Sequence, residues 1–464
     1  MLTIVPEQPR YPRREMLRIG GLALGGLSLP GWLATRAAAA APSRLITGKS
    51  VVFLFMHGGP SQIETFDPKM TASSDVHSAT GELATSLPGV TFGGTFPRLA
   101  TMAHKLSVVR SFVTGDGNHD LKPIVGRDTS GANLGSLYSA VAGANHARTG
   151  MPTNAALFPQ AVDPTTGPAI KSFGQFEATG ALGAGYAPFV PGAGGDLQND
   201  MELHLSPDRL GDRRSLLAEL DRVRFAFEGD GSGRGLNQLR EQAFSTIAGG
   251  VAGAFDLSRE NPAVVARYDT APLVRPDQIS RRWNNYNHYV DNAKSLGKLL
   301  LLARRLCEAG CGFVTVTTSF VWDMHADENN AGVEEGMRYM GVPFDYAVSA
   351  FLEDVAQRGL SDDILLVCCG EMGRTPRINA RGGRDHWGGL APLLLAGGGL
   401  KMGQVVGQST RDAGESLADP VRIGNLVSTV LRTLIDVSEL RVTRGVPREI
   451  VAAASAEPIP RLEG

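Results

Sequence analysis

The chain is poor in cysteine, which limits the disulfides and cysteine-bound metal sites that could stabilise its fold. It has four cysteines in 464 residues, Cys307, Cys311, Cys368 and Cys369. Two are adjacent in an apolar run and two lie near a helix end, so neither a disulfide framework nor a CxxC metal clip is indicated. We expect buried thiols that pack as small apolar side chains. A Cys307–Cys311 bridge stays open as the alternative.

The chain also lacks an excess of either charge. It has 45 Lys and Arg residues against 47 Asp and Glu residues, a formal net charge of -2. Nucleic-acid binding normally needs a basic surface that neutralises phosphates, so we predict no nucleic-acid partner.

The letters TGKS at 47–50 resemble the end of a P-loop, but Ser43 stands where the first glycine is required. A strand-like run follows instead of a helix, which excludes a nucleotide cradle.

Long apolar runs are absent as well. The N-terminal run from Ile19 to Ala34 is short and interrupted by Gly and Pro, whereas a bilayer-spanning helix needs about 20 apolar residues. It follows Arg13 and Arg14 and leads to an alanine tract, an order that resembles a twin-arginine export signal. We therefore expect residues 1–41 to be a signal read by the twin-arginine machinery. The mature protein would be periplasmic or secreted, with no stable membrane span. An N-terminal amphipathic arm that stays attached is the alternative.

Apolar runs alternate with helical patterns along the rest of the chain. Val51 to Met56, GFVTVTT from 312, DDILLVCC before Gly370 and APLLLAGG from 391 are typical of strands buried on both faces of a parallel sheet. Helical patterns cover 290–309, 336–359 and 423–435, with charged ones at 212–228 and 235–249. This alternation predicts an α/β fold, a three-layer α/β/α sandwich with a mostly parallel central sheet. We predict one domain, 42–464, with insertions near 115–165 and 170–290.

Polar residues follow two of these strands. His57 comes after the first and precedes GGP, where glycines let the backbone approach a ligand closely. Asp323 and His325 of WDMH are two apart, so both face one side of an extended segment and can reach one ion. Ligands of open α/β sheets bind beyond the carboxyl ends of the strands, so we expect one shared site. The alternatives are a structural turn histidine and an Asp–His pair without metal.

The richest segment is 370–388, GEMGRTPRINARGGRDHWG, which follows the strand DDILLVCC. Arg374 is suited to capturing phosphate, sulfate or carboxylate, and Glu371, Asp385 and His386 add metal-ligand or acid–base capacity. A solvated loop of mixed charge is the alternative, against which the tight glycine turns and Trp387 argue.

A third polar segment, RSFVTGDGNHD at 110–120, follows the strand-like LSVVR. Ser111 and Thr114 follow that strand, and His119 and Asp120 come close behind. A hydroxyl in this position can serve as a nucleophile or a ligand. Ordinary turn residues are the alternative.

The order of these motifs resembles a known family. The twin-arginine signal, HGGPSQIETFDPK, VVRS with a downstream NHD, ARRLCEAGCGFVTV, WDMH, GEMGRTPRIN and GRDHW resemble the bacterial exported family called domain of unknown function 1501. The resemblance spans nearly the whole mature chain. It implies an alkaline-phosphatase-like and sulfatase-like fold, whose members bind one or two divalent metals and cleave phosphate or sulfate esters by in-line attack.

The chain departs from that wider superfamily at three points. His57 stands where the superfamily usually has an aspartate, and Gly370–Glu371 stands where it has an Asp–His pair. There is no CxPSR motif, which a sulfatase needs to make its formylglycine nucleophile. These departures argue against ordinary sulfatase activity.

Together, these observations predict an exported, metal-dependent hydrolase of phosphate or sulfate esters, with carbohydrate esters among the expected substrates. The cofactor is a divalent ion, zinc, manganese or calcium, since carboxylates are mixed with imidazoles. A catalytically silent glycan- or anion-binding protein on the same fold and a metal-dependent mutase are the alternatives. The predicted catalytic residues are Ser111 as nucleophile, Arg374 holding the anion, and His119; the predicted metal ligands are His57, Asp323, His325, Glu371 and His386.

Overall fold

The computed structural model describes residues 45–192 and 250–463 except residue 418, with a few isolated residues between 209 and 246. Arg44–Gly464 form one compact unit. The predicted export signal, residues 1–41, lies outside the described residues. So do most of the two helical patterns predicted at 212–228 and 235–249.

The strands are short, and most of the longer ones coincide with the predicted apolar runs. They are β1 Ser50–Phe55, β2 Glu82–Ala84, β3 Thr91–Gly93, β4 Ser107–Val109, β5 Phe112–Val113, β6 Asn154–Leu157, β7 Phe313–Thr317, β8 Ile364–Cys369, β9 Gly373–Arg374, β10 His386–Trp387, β11 Leu393–Gly397, β12 Gln404–Val406 and β13 Val421–Arg422.

Two long helices dominate the helical part that the structure describes. The α-helices are α1 Gln62–Thr65, α2 Pro97–Thr101, α3 Leu134–Ala142, α4 Ala252–Phe255, α5 Pro262–Arg267, α6 Tyr286–Glu308, α7 Val333–Gln357, α8 Ile423–Leu434, α9 Val437–Val442 and α10 Arg448–Ser455.

Seven of the strands in the described part of the chain form the central sheet, in the order β12-β4-β11-β8-β1-β7-β6. β1 lies between β7 and β8 and is parallel to both, with Val52 opposite Val314 and Leu366. β11 is antiparallel to its neighbours β8 and β4, while β6 is parallel to β7 and β12 to β4. The predicted α/β fold with a mostly parallel sheet is confirmed.

The apolar residues of β1 alternate between two hydrophobic clusters. Val52 and Leu54 belong to one cluster, which also contains residues of α6 and α7. Val51 and Phe53 belong to the other, which contains residues of α8 and α10. Successive side chains of a strand point to opposite faces, so β1 is buried on both. This explains why its sequence is continuously apolar instead of alternating.

The ends of α7 follow ordinary helix chemistry. Glu334 and Glu335 lie in its first turn, where negative charge is favoured by the helix dipole. Beyond its last residue, Gly359 has φ +71°, a left-handed conformation that favours glycine. The chain can therefore turn sharply into β8, whose carboxyl end leads to the candidate site.

One core strand comes from a region that the sequence marked as an insertion. β6 lies within 115–165 and pairs with β7 at the edge of the sheet, with Asn154 opposite Phe313. That region therefore contributes to the central sheet as well as to the surface.

The cysteines behave as small buried side chains. All four are free and buried, which confirms the prediction of packed thiols. The alternative Cys307–Cys311 bridge does not form.

Among the residues that the structure describes, there is no helix that combines the length and the apolar character needed to cross a bilayer.

Candidate functional site

Three neighbouring strands, β1, β7 and β8, end at the same edge of the sheet. The segments that follow them carry His57, Asp323 and Glu371. The hairpin of β9 and β10 adds Arg374 directly opposite His386. Parts of the chain that are distant in sequence therefore converge where a parallel sheet places its ligands.

The centre of the site is a set of three side chains. One ligand atom each from His119, Asp323 and His386 lies within 4.8 Å of the others. The Nε2 atom of His386 is 3.2 Å from Asp323 Oδ1, and Nε2 of His119 is 3.5 Å from the same oxygen. Two imidazole nitrogens and a carboxylate oxygen form a donor set that zinc or manganese accepts. The residues present therefore fit a divalent cation, with His119 in the ligand set.

Glu371 lies behind this set and holds His119. Its Oε1 is 2.9 Å from His119 Nδ1, and both carboxylate oxygens accept the backbone N–H of Gly58, at 3.0 and 3.2 Å. Glu371 is fully buried. Metal-binding histidines commonly donate their second ring N–H to a carboxylate, which fixes the ring. Glu371 thus orients His119, whereas the sequence had predicted it as a direct metal ligand.

The glycines after β1 bring the backbone close to the site. Gly58 and Gly59 have φ +112° and +82°. A Cβ atom on Gly58 would lie 2.7 Å from the backbone nitrogen of Asp323. Only glycine therefore lets the loop after β1 pack against the segment that carries Asp323.

Arg374 is a structural partner of Asp323. It is fully buried, and its Nη2 donates to Asp323 Oδ1 at 2.6 Å and to the carbonyl of Gly58. Its Nε donates to the carbonyl of Gly59 at 2.7 Å, and Nη1 to that of Arg384 at 3.3 Å. The role of holding a substrate anion stays a prediction, and in this structure the guanidinium donates to these internal acceptors.

Asp323 is the ionised centre of the cluster. Its Oδ2 is 2.9 Å from Nε2 of His325 and accepts from Asn330 Nδ2 at 3.1 Å. Burial opposes ionisation of the carboxyl, but Arg374 and hydrogen bonds from the surrounding histidines outweigh it and lower the pKa of Asp323. Both oxygens are therefore negatively charged acceptors.

The protonation of His119 is coupled to its two carboxylate partners. Burial disfavours the imidazolium, but hydrogen bonds to Asp323 and Glu371 outweigh burial and raise the pKa of His119. A cation that binds Nε2 must displace a proton held there. Metal binding at this site is therefore expected to release protons.

His325 contacts the other oxygen of Asp323 and stays outside the three-residue set. Its Nε2 is also 3.8 Å from Asp327 Oδ2. The predicted Asp323–His325 proximity is therefore present, with His325 on the wall of the cleft described below.

His57 lies among aromatic rings and does not join the three-residue set. It is 2 % exposed, and within the described chain its Nε2 has no hydrogen-bond partner. Its ring centroid is 4.8 Å from that of Phe320 and 5.4 Å from that of Phe55. Burial lowers the pKa of His57 to about 4, so the ring is neutral at pH 7. The predicted ligand role is not matched by these contacts.

Ser111 is also away from the cluster. It is 1 % exposed, its hydroxyl has no partner among the described residues, and its side chain lies against Gly407. Its carbonyl accepts the N–H of Val421 at 3.0 Å. A nucleophile must reach the substrate, and Ser111 does not line the cleft over the cluster, so its nucleophile role stays a prediction without support from these contacts.

A cleft of about 420 Å³ opens over the cluster. The rings of Phe173 and Phe320 are stacked at one wall, with centroids 4.6 Å apart. Sequence reasoning missed most of this wall because its residues come from separate loops without a shared motif. The polar run DENN after WDMH was the one local sequence signal for these lining residues. The missed lining residues include Phe173, Asn285, His288, Phe320, Asp327, Asn329 and Asn330.

The family model described as "Protein of unknown function (DUF1501)" matches residues 48–461. The chain belongs to the DUF1501 family. This confirms the family membership that the order of the sequence motifs predicted. No curated protein matches this DUF1501 chain.

Several solved structures are similar to this DUF1501 protein at low identity. They include the PsFucS1 sulfatase from Pseudoalteromonas sp., 11% identical with a TM-score of 0.36, covering 92% of this chain and 72% of that one. The phosphonate monoester hydrolase of Agrobacterium radiobacter is 8% identical with a TM-score of 0.32, covering 84% and 74%. The lipoteichoic acid synthase LtaP from Listeria monocytogenes is 8% identical with a TM-score of 0.32, covering 84% and 78%. At these values the likeness assigns neither activity nor substrate.

Proposed function

We propose that this DUF1501 protein is an exported, metal-dependent hydrolase of phosphate or sulfate esters, with carbohydrate esters among its substrates. The observation that carries the proposal is the convergence of His119, Asp323 and His386 beneath a cleft at the carboxyl ends of parallel strands. A concave pocket with a few convergent polar groups is the usual form of an active site.

His119, Asp323 and His386 would hold the cation. When bound, it would polarise an ester oxygen and stabilise the charge that develops during cleavage. Two imidazole nitrogens favour zinc or manganese over calcium, which prefers oxygen ligands.

The surrounding residues have separate tasks in this proposal. Glu371 fixes the ring of His119, and Arg374 holds Asp323 Oδ1 in place. His325 lies on the cleft wall with Nε2 against Asp323 Oδ2, so it is placed to pass a proton to a leaving oxygen. Phe173 and Phe320 reduce the access of water from one side.

A catalytically silent glycan- or anion-binding protein is the second candidate. It is favoured by the burial of Ser111 and Arg374, because neither the predicted nucleophile nor the predicted anion-holding group lines the cleft. No contact among the described residues favours the mutase alternative.

We also infer the finer architecture and location. A three-layer α/β/α sandwich is supported by the two hydrophobic clusters that β1 joins. Export to the periplasm or medium through the twin-arginine machinery is supported by the pattern of residues 1–41. Replacing Arg13 and Arg14 together by lysine is expected to leave the protein in the cytoplasm on cell fractionation. Unchanged export would contradict this part of the proposal.

The activity is tested with a panel of aryl phosphates, aryl sulfates and sugar esters, each assayed with added zinc or manganese and with product identification. Wild type is expected to hydrolyse one class, and His119→Ala or His386→Ala to lose at least about a hundredfold in rate. The matched control is His104→Ala, since His104 is exposed and its ring bonds Ser86. Metal binding without hydrolysis would favour the silent binding protein, and a rearranged product would favour the mutase.

A further inference from the structure

Lys122 follows His119 closely in the segment after β5, and its side chain is largely buried. That side chain is 12 % exposed, and it is not among the described residues that line the cleft over the metal ligands. A buried ammonium group is costly unless acceptors surround its charge and its three N–H donors. The position of these acceptors shows what Lys122 holds together.

Oxygen atoms from two separate segments surround this ammonium group. Its Nζ donates to Asp116 Oδ1 at 2.8 Å and to the carbonyl of Asn118 at 3.2 Å, and it lies 3.2 Å from Asp120 Oδ2. The carbonyl of Glu371 is a further acceptor, at 3.5 Å. The ammonium group therefore joins the loop that carries His119 to the backbone of Glu371, whose side chain orients the same histidine.

The two carboxylates around the ammonium group also fix the backbone of the loop. Asp116 Oδ1 accepts the N–H of Asn118 at 2.9 Å, and Asp120 Oδ1 accepts the N–H of Lys122 at 2.9 Å. These two turns lie on either side of His119 in the sequence. Both carboxylates lie within 3.2 Å of one ammonium group, so without that group their like charges would repel each other. The loop is thus expected to shift when the positive charge is removed.

The same loop packs closely against the segment that carries His386. The N–H of Gly115 donates to the carbonyl of Gly388 at 3.0 Å, and a Cβ atom on Gly117 would lie 3.0 Å from Cβ of His386. There is no room between the loop and β10 for a larger residue at this point. A shift of the loop therefore changes the position of His119 relative to His386, two of the three proposed metal ligands.

We propose that Lys122 is a positioning residue of the candidate metal site. Its ammonium group holds loop 116–120 against the main chain of Glu371. The hydrogen bond between His119 Nδ1 and Glu371 Oε1 is thereby maintained, and Nε2 of His119 stays turned toward Asp323. The importance of this positioning for metal binding rests on the proposed function, whereas the positioning itself is a property of the metal-free protein.

Crystal structures of the metal-free wild type and of Lys122→Met test the positioning itself. Methionine is similar in length to lysine but has no charge. We expect the distance between His119 Nδ1 and Glu371 Oε1 to exceed about 3.5 Å in Lys122→Met, too long for a hydrogen bond. Lys401→Met is the matched control, since Lys401 is exposed, and should keep the wild-type distance. A His119–Glu371 hydrogen bond that is kept in Lys122→Met would overturn the proposal.

Zinc affinity and the spectrum of the cobalt-substituted protein test the effect on the metal site. We expect zinc to bind about tenfold more weakly to Lys122→Met, since loss of a group that orients a metal-binding histidine usually weakens binding to this extent or more. The visible spectrum of bound cobalt should change in Lys122→Met and not in Lys401→Met, which a general loss of stability would not produce. Wild-type zinc affinity and a wild-type cobalt spectrum in Lys122→Met would overturn the proposal.

A double-mutant cycle with Asp116→Asn shows whether the contact between the ammonium group and the carboxylate is responsible. Both substitutions remove the same charged contact, so the double variant should bind zinc no more weakly than Lys122→Met alone. Losses that add in full would overturn the proposal. Because the side chain of Asp116 is 55 % exposed, Asp116→Asn also carries the crystallographic test if Lys122→Met does not fold.

Failure of the proposed function has a different signature. A wild-type protein that binds no zinc or manganese would refute the metal-dependent hydrolase, while the distance between His119 and Glu371 in the metal-free crystals would still decide the role of Lys122.

Discussion

Nδ1 of His119 lies 2.9 Å from Oε1 of Glu371, and the same carboxylate accepts the backbone N–H of Gly58. One buried acid therefore joins the segment after β8, the loop after β1 and the segment that carries His119. A carboxylate in this position fixes the direction of the imidazole and increases its basicity toward a metal. The site is thus built around an orienting residue as much as around its ligands.

The substitution Glu371→Gln tests this orienting role. The amide keeps the shape of the side chain but loses its charge, so we expect zinc affinity to fall by about 10–100-fold. Competition with a chromophoric chelator measures the affinity, with Glu82→Gln at an exposed strand position as control. Unchanged affinity would remove the orienting role, and complete loss of zinc from a folded variant would restore the predicted direct ligand.

The substitution His57→Phe separates an aromatic core position from a metal ligand. Phenylalanine suits a site lined by Phe55 and Phe320, so we expect metal content to stay at the wild-type level. Loss of the metal from a folded His57→Phe protein would show instead that His57 is a ligand.

His57 should also leave a signature in the pH dependence of stability. Its pKa is lowered from 6.5 to about 4 by burial, so between these values the unfolded chain binds a proton that the folded chain does not. Stability is therefore lost as pH falls, by about 2 kcal/mol between pH 7 and 5. Urea unfolding at both pH values should show this part of the loss in wild type and not in His57→Phe. Equal losses in the two proteins would refute the buried, neutral state.

The close backbone approach at Gly58 can be tested with a pair of alanine variants. In Gly58→Ala, the alanine must adopt a left-handed φ and its Cβ clashes with backbone atoms. In Gly48→Ala, the alanine must adopt φ +82°, but nothing lies within 4 Å of its Cβ. We expect Gly48→Ala to reduce the free energy of unfolding by about 1 kcal/mol. Gly58→Ala should reduce it by about 1–3 kcal/mol more than Gly48→Ala does, and should also bind metal more weakly. Chemical denaturation and zinc titration measure both effects. Equal values for the two variants would show that the loop after β1 can relax.

Sequence patterns were sufficient for the apolar strands β1, β4, β7, β8 and β11, but not for β6, which lies in a region predicted as an insertion. Continuous apolar runs such as those of β1 and β8 identify buried parallel strands, and histidines or acids directly after them mark the site edge. The antiparallel direction of β11 was not predictable, because its apolar sequence suits either direction. Local sequence patterns therefore predict the framework of strands, but not the complete pairing and direction of those strands.

The roles of individual site residues were harder to predict because they depend on long-range contacts. Glu64 and Arg384, both fully buried, form an ion pair at 2.8 Å across 320 positions of sequence. The sequence predicted Arg374 as an anion-binding group, whereas in the structure its guanidinium donates to the carbonyls of Gly58 and Gly59. Whether an arginine faces a cleft or the protein interior is decided by tertiary packing, not by its neighbours in sequence.

A buried ion network away from the site also makes a testable contribution to stability. Arg304, 1 % exposed, contacts Asp354 at 2.9 Å and Glu260 at 2.5 Å. Arg304→Met leaves these acids without their main partner, so we expect a loss of about 3–5 kcal/mol in the free energy of unfolding. Arg259→Met, at an exposed arginine, is the control and should change stability by less than about 0.5 kcal/mol. A similar small change in Arg304→Met would mean that the acids find other partners.

The same network predicts a pH effect with a definite sign. Burial opposes ionisation of Glu260, but hydrogen bonds from Arg304 outweigh it and lower the pKa of Glu260 to about 2. The stabilisation from Glu260 is therefore present above pH 4.5 and is lost as pH falls toward 2. In acid unfolding of Arg304→Met this component should be smaller but not absent, because Arg305 and the backbone N–H of Asn261 still hydrogen-bond Glu260. An acid profile identical to that of wild type would contradict it.

We propose above that one divalent cation is bound by His119, Asp323 and His386. Anomalous X-ray diffraction from crystals grown with zinc tests it most directly. We expect one strong peak at about 2.0–2.2 Å from a nitrogen of each histidine and an oxygen of Asp323, with Glu371 bonded to His119 and outside the coordination shell. No peak at this position, or a peak coordinated by Glu371 or His57, would contradict it.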